Sequence, residues 1–329
     1  MKAAVLTTPK KISLKPLLIS DVQRPAAGPG HVLLRVRACG VCRTDLHIVE
    51  GELFPQPDRV IPGHQIVGEV VGGTTELPSG SRVGVTWLGG VDGTCPSCRG
   101  GRENLCDEPV FTGFSVDGGY AEYATARADF VFPLPSEFTD LQAAPLLCAG
   151  IIGFRSLRVA GTQPAERVGL FGFGASAHLA IAVLHAWKCE VYVSTRGESH
   201  RKLAESLGAT WVGSEREKPP AELDRAITFA PSGDVVIAAL GSLRKGGVVA
   251  INAIHLDRIP EFDYDSLLWG ERQLRSVANM TRDDAREFLK IAAQISLKPK
   301  VTRFPLDQAN EALAAVKNDA IDGAAVILP

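Results

Sequence analysis

The chain carries almost no net sign. Its 35 Lys and Arg against 37 Asp and Glu leave a formal charge of −2. No basic run is long enough to form a nucleic-acid surface. No apolar run approaches the roughly 18–20 residues that span a bilayer, so no membrane partner is expected. The opening residues, Met1-Lys2-Ala3-Ala4-Val5-Leu6, lack the long apolar core of a secretory signal. Internal repeats and low-complexity segments are absent, and regular helical periodicity is scarce in the first half. These absences point to a cytoplasmic protein with reduced thiols. Seven cysteines in that compartment argue for metal or catalysis before disulfides, and the odd count leaves at least one apart.

What is present fits an enzyme of two domains. The 329 residues allow a large buried core, and 45 % apolar with 22 % charged residues is an ordinary balance. Residues 1–150 hold short β-like runs between Gly and Pro, such as "HVLLRVRACG", "IVGEVVG" and "SRVGVTW". This predicts an irregular β-rich domain. After Gly150 the pattern changes. "RVGLFGFG" (167–174) reads as a buried strand entering a Gly turn, and Ala177, Ala180, Ile181 and Leu184 mark one helix face. "CEVYVST", "DRAITFA", "GGVVAINAI" and "LRSVAN" read as further strands, and "ESHRKLAESLGA" as a helix that Gly208 caps. Strands alternating with helices predict a doubly wound parallel sheet. The last residues read as a helix and a closing strand that return to the first domain. The expected division is 1–150 with 280–329, and 151–279 between them.

Gly172-Phe173-Gly174-Ala175-Ser176-Ala177 has the form G-x-G-x-x-A, directly after a strand and opening a helix. Gly172 permits the tight turn, Gly174 lets backbone approach a pyrophosphate, and Ala177 permits close helix–sheet packing. A bare glycine motif also serves as a plain structural turn. The strand–turn–helix context is what favours a dinucleotide. The second strand ends Val193-Ser194-Thr195-Arg196 without a carboxylate for a ribose 2′-hydroxyl. Ser194, Thr195 and Arg196 suit a 2′-phosphate, which favours NADP over NAD. The alternative is that Arg196 is a solvated loop residue.

Cysteine and histidine are scattered through the first domain. "CGVCRTDLH" holds Cys42, Thr44, Asp45 and His47; His64 follows in "PGHQIVGEV" and Cys148 in "APLLCAGIIGF". Cys95, Cys98 and Cys106 share one Gly-rich run, and three thiols alone do not close a tetrahedral zinc site. Cys39 makes C-x-x-C with Cys42. Without a thioredoxin-like setting it reads as a packed strand residue rather than a redox partner.

Taken in this order and followed by "FGFGASAH", these motifs resemble the zinc-dependent medium-chain alcohol dehydrogenases over essentially the whole chain. The resemblance implies a GroES-like β-rich catalytic domain and a Rossmann cofactor domain, paired into homodimers or homotetramers. It implies Cys42, His64 and Cys148 as catalytic zinc ligands with one position left for the substrate. A small alcohol or aldehyde would then exchange a hydride with the nicotinamide. Thr44 and His47 match the family's proton relay. Asp45 matches the carboxylate that orients His64, the alternative being a turn or cap residue. Trp87 matches a wall of the substrate pocket. Phe229, Ala230, Ala253 and Ile254 follow later strands of the cofactor domain and would touch the nicotinamide. The structural-zinc pattern C-x2-C-x2-C-x7-C, counted back from Cys106, places its first ligand at Asp92. A carboxylate oxygen is a legitimate zinc ligand, and water closure or a metal-free lobe are the alternatives. One departure stands out: the family's Gly-His-Glu reads Gly63-His64-Gln65 here. Two rival readings are a zinc-independent quinone or enone reductase of the same superfamily and a non-catalytic nucleotide-binding redox sensor. The former lacks the Cys, His, Cys ligands; the latter has no need of Thr44 and His47.

Overall fold

The computed structural model describes residues 1–53, 58–73, 76–321 and 323–329. Its contacts divide the chain into two compact units, Met1–Ala149 with Asn279–Pro329, and Gly150–Ala278.

The first unit is built on a seven-stranded sheet. Its path runs Val301–Pro305, Ala324–Leu328, His31–Gly40, Gln65–Gly73, Arg82–Val85, Val131–Pro133, with Tyr123–Arg127 also pairing to His31–Gly40. In His31–Gly40 the buried residues Val32, Leu34 and Val36 alternate with more exposed ones, the period-two signature of a strand with one face on a core. The closing strand pairs antiparallel with it, Val326 opposite Gly40 and Ile327 opposite Cys39. The C-terminal segment is thereby part of this unit. Cys39 is fully buried in that strand, as a packed residue should be.

The second unit is a six-stranded sheet in the order Trp211–Gly213, Glu190–Ser194, Arg167–Phe171, Leu223–Thr228, Leu243–Ile251, Gln273–Ser276, all parallel. In chain order this is 3-2-1-4-5-6, the doubly wound Rossmann arrangement, whose strand order reverses beside the first strand. The inner strands are apolar on both faces, Val168 to Phe171 and Val191 to Ser194 being buried throughout. Such runs belong to parallel sheets covered on both sides.

The expectation of no bilayer-length apolar stretch needs correction. Asp140–Ala160 is a helical run of 21 residues, apolar enough by length and composition, and 67 % of its most apolar window is buried within the protein. Burial explains the composition: its first turns pack on the sheet of the first unit, and its last on the second unit's sheet and the helix Ala175–Ala186. Periodicity in the first half also hid the short helix Arg43–Glu50.

Candidate metal and nucleotide sites

Three segments converge in the first unit. Arg43–Glu50 begins at Cys42, whose sulfur accepts from the Thr44 N–H at 3.5 Å, while the Cys42 N–H donates to Asp45 Oδ2 at 2.9 Å. This reciprocal pair is a capping box. It starts the helix and fixes Cys42 at its mouth. His64 ends the Pro62-Gly63 turn just before Gln65–Gly73, and Gly63 has φ +98°. Cys148 lies in a single π-helical turn, Leu146–Gly150, directly after Pro145. Proline has no N–H for the preceding helix, and such wide turns recur where a helix serves a site.

The sulfur atoms of Cys42 and Cys148 lie 3.9 Å apart, and these sulfurs with one His64 ring nitrogen all fall within 4.8 Å of one another. Two sulfurs on one tetrahedral zinc, at about 2.3 Å each, stand about 3.8 Å apart. His64 is fully buried; its Nδ1 donates to Asp45 Oδ1 at 2.8 Å and its Nε2 has no partner. A buried, unpartnered imidazole nitrogen is costly, and this one belongs with two thiols. The donor set fits a zinc ion.

The charges agree. Burial alone would lower the His64 pKa, yet the Asp45 carboxylate and the Cys42 sulfur raise it to about 10. Cys42 is pushed down, chiefly by the hydrogen bond from the Cys148 thiol, and Cys148 is pushed up by the same bond. One thiolate therefore forms readily here, and a second needs a cation.

Other expected residues surround this set. Thr44 is buried, with its Oγ1 3.6 Å from the Cys42 sulfur. His47 Nδ1 is hydrogen-bonded to Glu52. Trp87 meets the His64 ring edge-on at 5.2 Å and stacks on Phe111 at 4.7 Å and Phe114 at 6.1 Å, giving the site an aromatic wall. Gln65 is buried, and a Cβ on Gly40 would come within 2.9 Å of its side chain. Asp45 both accepts the Cys42 N–H at the start of the helix and accepts His64 Nδ1. Glu52, Phe111, Phe114 and Tyr120, whose hydroxyl donates to Asp45 Oδ2 at 3.0 Å, were not foreseen. Only Glu52, one helical turn and a residue beyond His47, left a local signal.

The second thiol set is local. Asp92, Cys95, Cys98 and Cys106 present ligand atoms within 4.8 Å of one another. Asp92 Oδ1 accepts from the N–H groups of Thr94 and Cys95, at 2.5 and 2.8 Å, while Oδ2 takes the Cys106 thiol at 3.1 Å. The backbone N–H of Cys95 leads in holding the Asp92 carboxyl well below the usual range. Burial, then Cys95, pushes Cys98 up to about 12. The carboxylate thus stands where a fourth thiolate would, and the four donors fit zinc. The lobe is docked to the start of Arg282–Gln294: Glu103 takes the Arg282 backbone N–H and guanidinium, each at 2.7 Å, and the Asn104 carbonyl takes Asn279.

In the second unit the G-x-G-x-x-A turn joins Arg167–Phe171 to the helix Ala175–Ala186. Gly172 has φ +92°, and a Cβ there would lie 3.0 Å from the Ala230 nitrogen. A Cβ on Gly174 would meet nothing within 4 Å, the open approach a phosphate needs. Ala175 and Ser176 form the first turn of the helix, and Ala177 is fully buried. Phe229 and Ala230 donate backbone N–H groups to Phe171, so they frame the turn. Ala253 and Ile254 follow Leu243–Ile251, and Ile254 is exposed. Ser194 and Thr195 are buried, their hydroxyls donating to the Ser214 and Arg196 carbonyls. Of the expected 2′-phosphate trio only Arg196 faces solvent, and it pairs with Glu215 at 3.2 Å.

Comparison with known proteins agrees with this geometry. Residues 28–136 match the family model of the alcohol dehydrogenase GroES-like domain, and 177–294 that of the zinc-binding dehydrogenase domain. A probable alcohol dehydrogenase of Mycobacterium tuberculosis is 46 % identical over 100 % of this chain and 97 % of its own. The acetophenone reductase of Geotrichum candidum in complex with NAD superimposes with TM-score 0.86 at 26 % identity, over 100 % of this chain and 97 % of that one. A putative zinc-binding dehydrogenase of Sinorhizobium meliloti bound to NADP superimposes with TM-score 0.86 at 25 % identity, over 100 % and 99 %. With both family models matched in order and this relative aligned end to end, the chain belongs to the zinc-dependent alcohol dehydrogenase family of medium-chain oxidoreductases.

Proposed function

We propose that this protein interconverts alcohols and aldehydes with a nicotinamide nucleotide, using Cys42, His64 and Cys148 to hold a catalytic zinc. The observation that carries the reading is the buried His64 Nε2, unpartnered beside two thiols and walled by Trp87. Zinc, when bound there, supplies the Lewis acidity that makes a substrate hydroxyl acidic near neutral pH. A nicotinamide, when bound, would supply the acceptor for the substrate's C–H hydride, and the O–H proton would leave through the protein's own side chains. The Thr44 hydroxyl would accept that proton at Oγ1 while giving up its own to the next group in the relay. His47, whose Nδ1 is held by Glu52, would carry it on toward solvent. Asp45 fixes the His64 tautomer with hydrogen on Nδ1. Asp92, Cys95, Cys98 and Cys106 would hold a second, structural zinc.

The turn at Gly172, Gly174, Ala175, Ser176 and Ala177 would seat the pyrophosphate, with Phe229, Ala230, Ala253 and Ile254 toward the nicotinamide. We favour NADP, because no carboxylate ends Glu190–Ser194 and Arg196 is exposed there. The Arg196→Ala protein should lose roughly ten-fold or more in kcat/KM with NADP relative to NAD. An unchanged ratio would remove Arg196 from cofactor choice. The chain reads as a cytoplasmic homodimer or homotetramer, which light scattering and cell fractionation test. The activity itself is tested by following reduced nicotinamide absorbance with a panel of primary alcohols and aldehydes, with and without a chelator. Turnover that survives complete zinc removal would sink the metal reading and favour the quinone or enone reductases.

A further inference from the structure

We infer that Tyr120 is a positioning residue for the metal-binding imidazole and acts on it through Asp45. This rests on the reading of Cys42, His64 and Cys148 as zinc ligands.

Tyr120 is fully buried, and its hydroxyl donates to Asp45 Oδ2 at 3.0 Å. Asp45 Oδ2 also accepts the Cys42 N–H at 2.9 Å, and Oδ1 accepts His64 Nδ1 at 2.8 Å. One buried carboxylate therefore gathers three donors: the backbone of one ligand, the ring of another, and Tyr120. The Cys42 and Tyr120 donors share one oxygen and hold the carboxylate plane. The remaining oxygen is left aimed at His64. Without the hydroxyl the plane is held on that side by a single backbone bond, and His64 can pivot with it. Groups that orient a metal ligand from behind govern affinity as well as geometry.

The local sequence is spent on placing this one side chain. Gly118, Gly119 and Tyr120 donate backbone N–H groups to the carbonyls of Ile61, Gly63 and Pro62, at 2.6, 2.8 and 3.0 Å. That ladder ends at the residue before His64. A Cβ on Gly63 would come within 2.4 Å of the Tyr120 ring; one on Gly118 would lie 2.1 Å from the Gly63 carbonyl oxygen, and one on Gly119 2.5 Å from Ile66. Three glycines thus let the tyrosine segment lie flat against the approach to His64. A phenylalanine would fill the same space. The hydroxyl is what the site adds, and burying a hydroxyl without an acceptor is costly.

The test is Tyr120→Phe in the full-length, zinc-loaded protein. Zinc protects ligand thiols from alkylation, so iodoacetamide labelling under chelator, read residue by residue by mass spectrometry, reports both thiol sets at once. The expected result is labelling of Cys42 and Cys148 about ten-fold faster than in the unaltered protein, with Cys95, Cys98 and Cys106 unchanged. A purely structural tyrosine would loosen both sets together, and that outcome overturns the proposal. So does an unchanged rate at Cys42 and Cys148, or a Tyr120→Phe chain that fails to fold, which would assign the hydroxyl to general stability. If the unaltered protein shows no zinc protection of Cys42 and Cys148 at all, the ligand reading itself fails, and the role of Tyr120 falls with it.

Discussion

Two thiol sets share the first unit and are assembled in opposite ways. Cys42, His64 and Cys148 come from a helix mouth, a turn and a π-helical turn separated by tens of residues. Their histidine is fully buried and stands on a carboxylate, a backbone N–H and a tyrosine. Asp92, Cys95, Cys98 and Cys106 come from one short lobe, are half-buried, and lean on N–H groups of their own loop. The first set inherits its geometry from the whole fold; the second makes its own. A remote set braced by the surrounding fold can hold an ion with an open position rigidly enough for chemistry. A local set can close around an ion and stiffen a loop, and little else depends on it.

That contrast can be broken by experiment. The largest expected effect is at the remote set: Cys42→Ser or Cys148→Ser should lower kcat/KM about a thousand-fold or more, measured by steady-state kinetics. A loss under ten-fold would put the chemistry elsewhere. Next comes Asp92→Ala, which should remove about half of the bound zinc by metal analysis and lower thermal stability, while turnover per remaining zinc stays the same. Asp92→Cys should retain both zincs and resist chelator longer, because a softer sulfur replaces oxygen. Unchanged zinc content in the Ala variant would mean that Asp92 coordinates nothing.

A smaller effect is expected where the lobe is docked. Burial would raise the Glu103 pKa, but its bonds to Arg282 outweigh this and bring it below the ordinary 4.5. A carboxyl lowered in the folded state stabilises the protein above its unfolded pKa, and that contribution is lost as pH falls through the folded value. Glu103→Gln should therefore cost about 1–2 kcal/mol at neutral pH and little at pH values below the wild-type transition. Calorimetry across acidic pH would show the two curves converging. Parallel curves would mean that the pair contributes nothing. The smallest effect is at Gln65. Restoring a carboxylate with Gln65→Glu adds negative charge beside the donor set, and the acidic limb of the pH–rate profile should move up by at most about one unit. A profile and turnover identical to wild type would show that residue 65 does not tune the site.

How far the sequence reached differs between these regions. The nucleotide sheet was legible almost strand by strand, because Arg167–Phe171 and Glu190–Ser194 are apolar runs ended by glycine or polar turns. The lobe was legible by arithmetic, since local spacing is local geometry, and Asp92 does stand beside Cys106. Cys42, His64 and Cys148 carry no signal by themselves. Only their order beside other motifs singled them out, because convergence of remote segments is a property of the packed sheet. The groups behind them were hidden altogether. Nothing near Tyr120 hints that its hydroxyl meets Asp45, and the inward turn of Ser194 toward Ser214 depends on how neighbouring strands pair.

Asp45 does two jobs, closing the first turn of Arg43–Glu50 and bracing His64. Both jobs fall to one carboxylate, and so winding of this helix and readiness of the pocket are coupled. Anything that frays residues 43–45 also lets the imidazole swing, and an ion bound beyond it clamps that turn in return. Deuterium uptake at the start of this helix should then report metal occupancy without any substrate present.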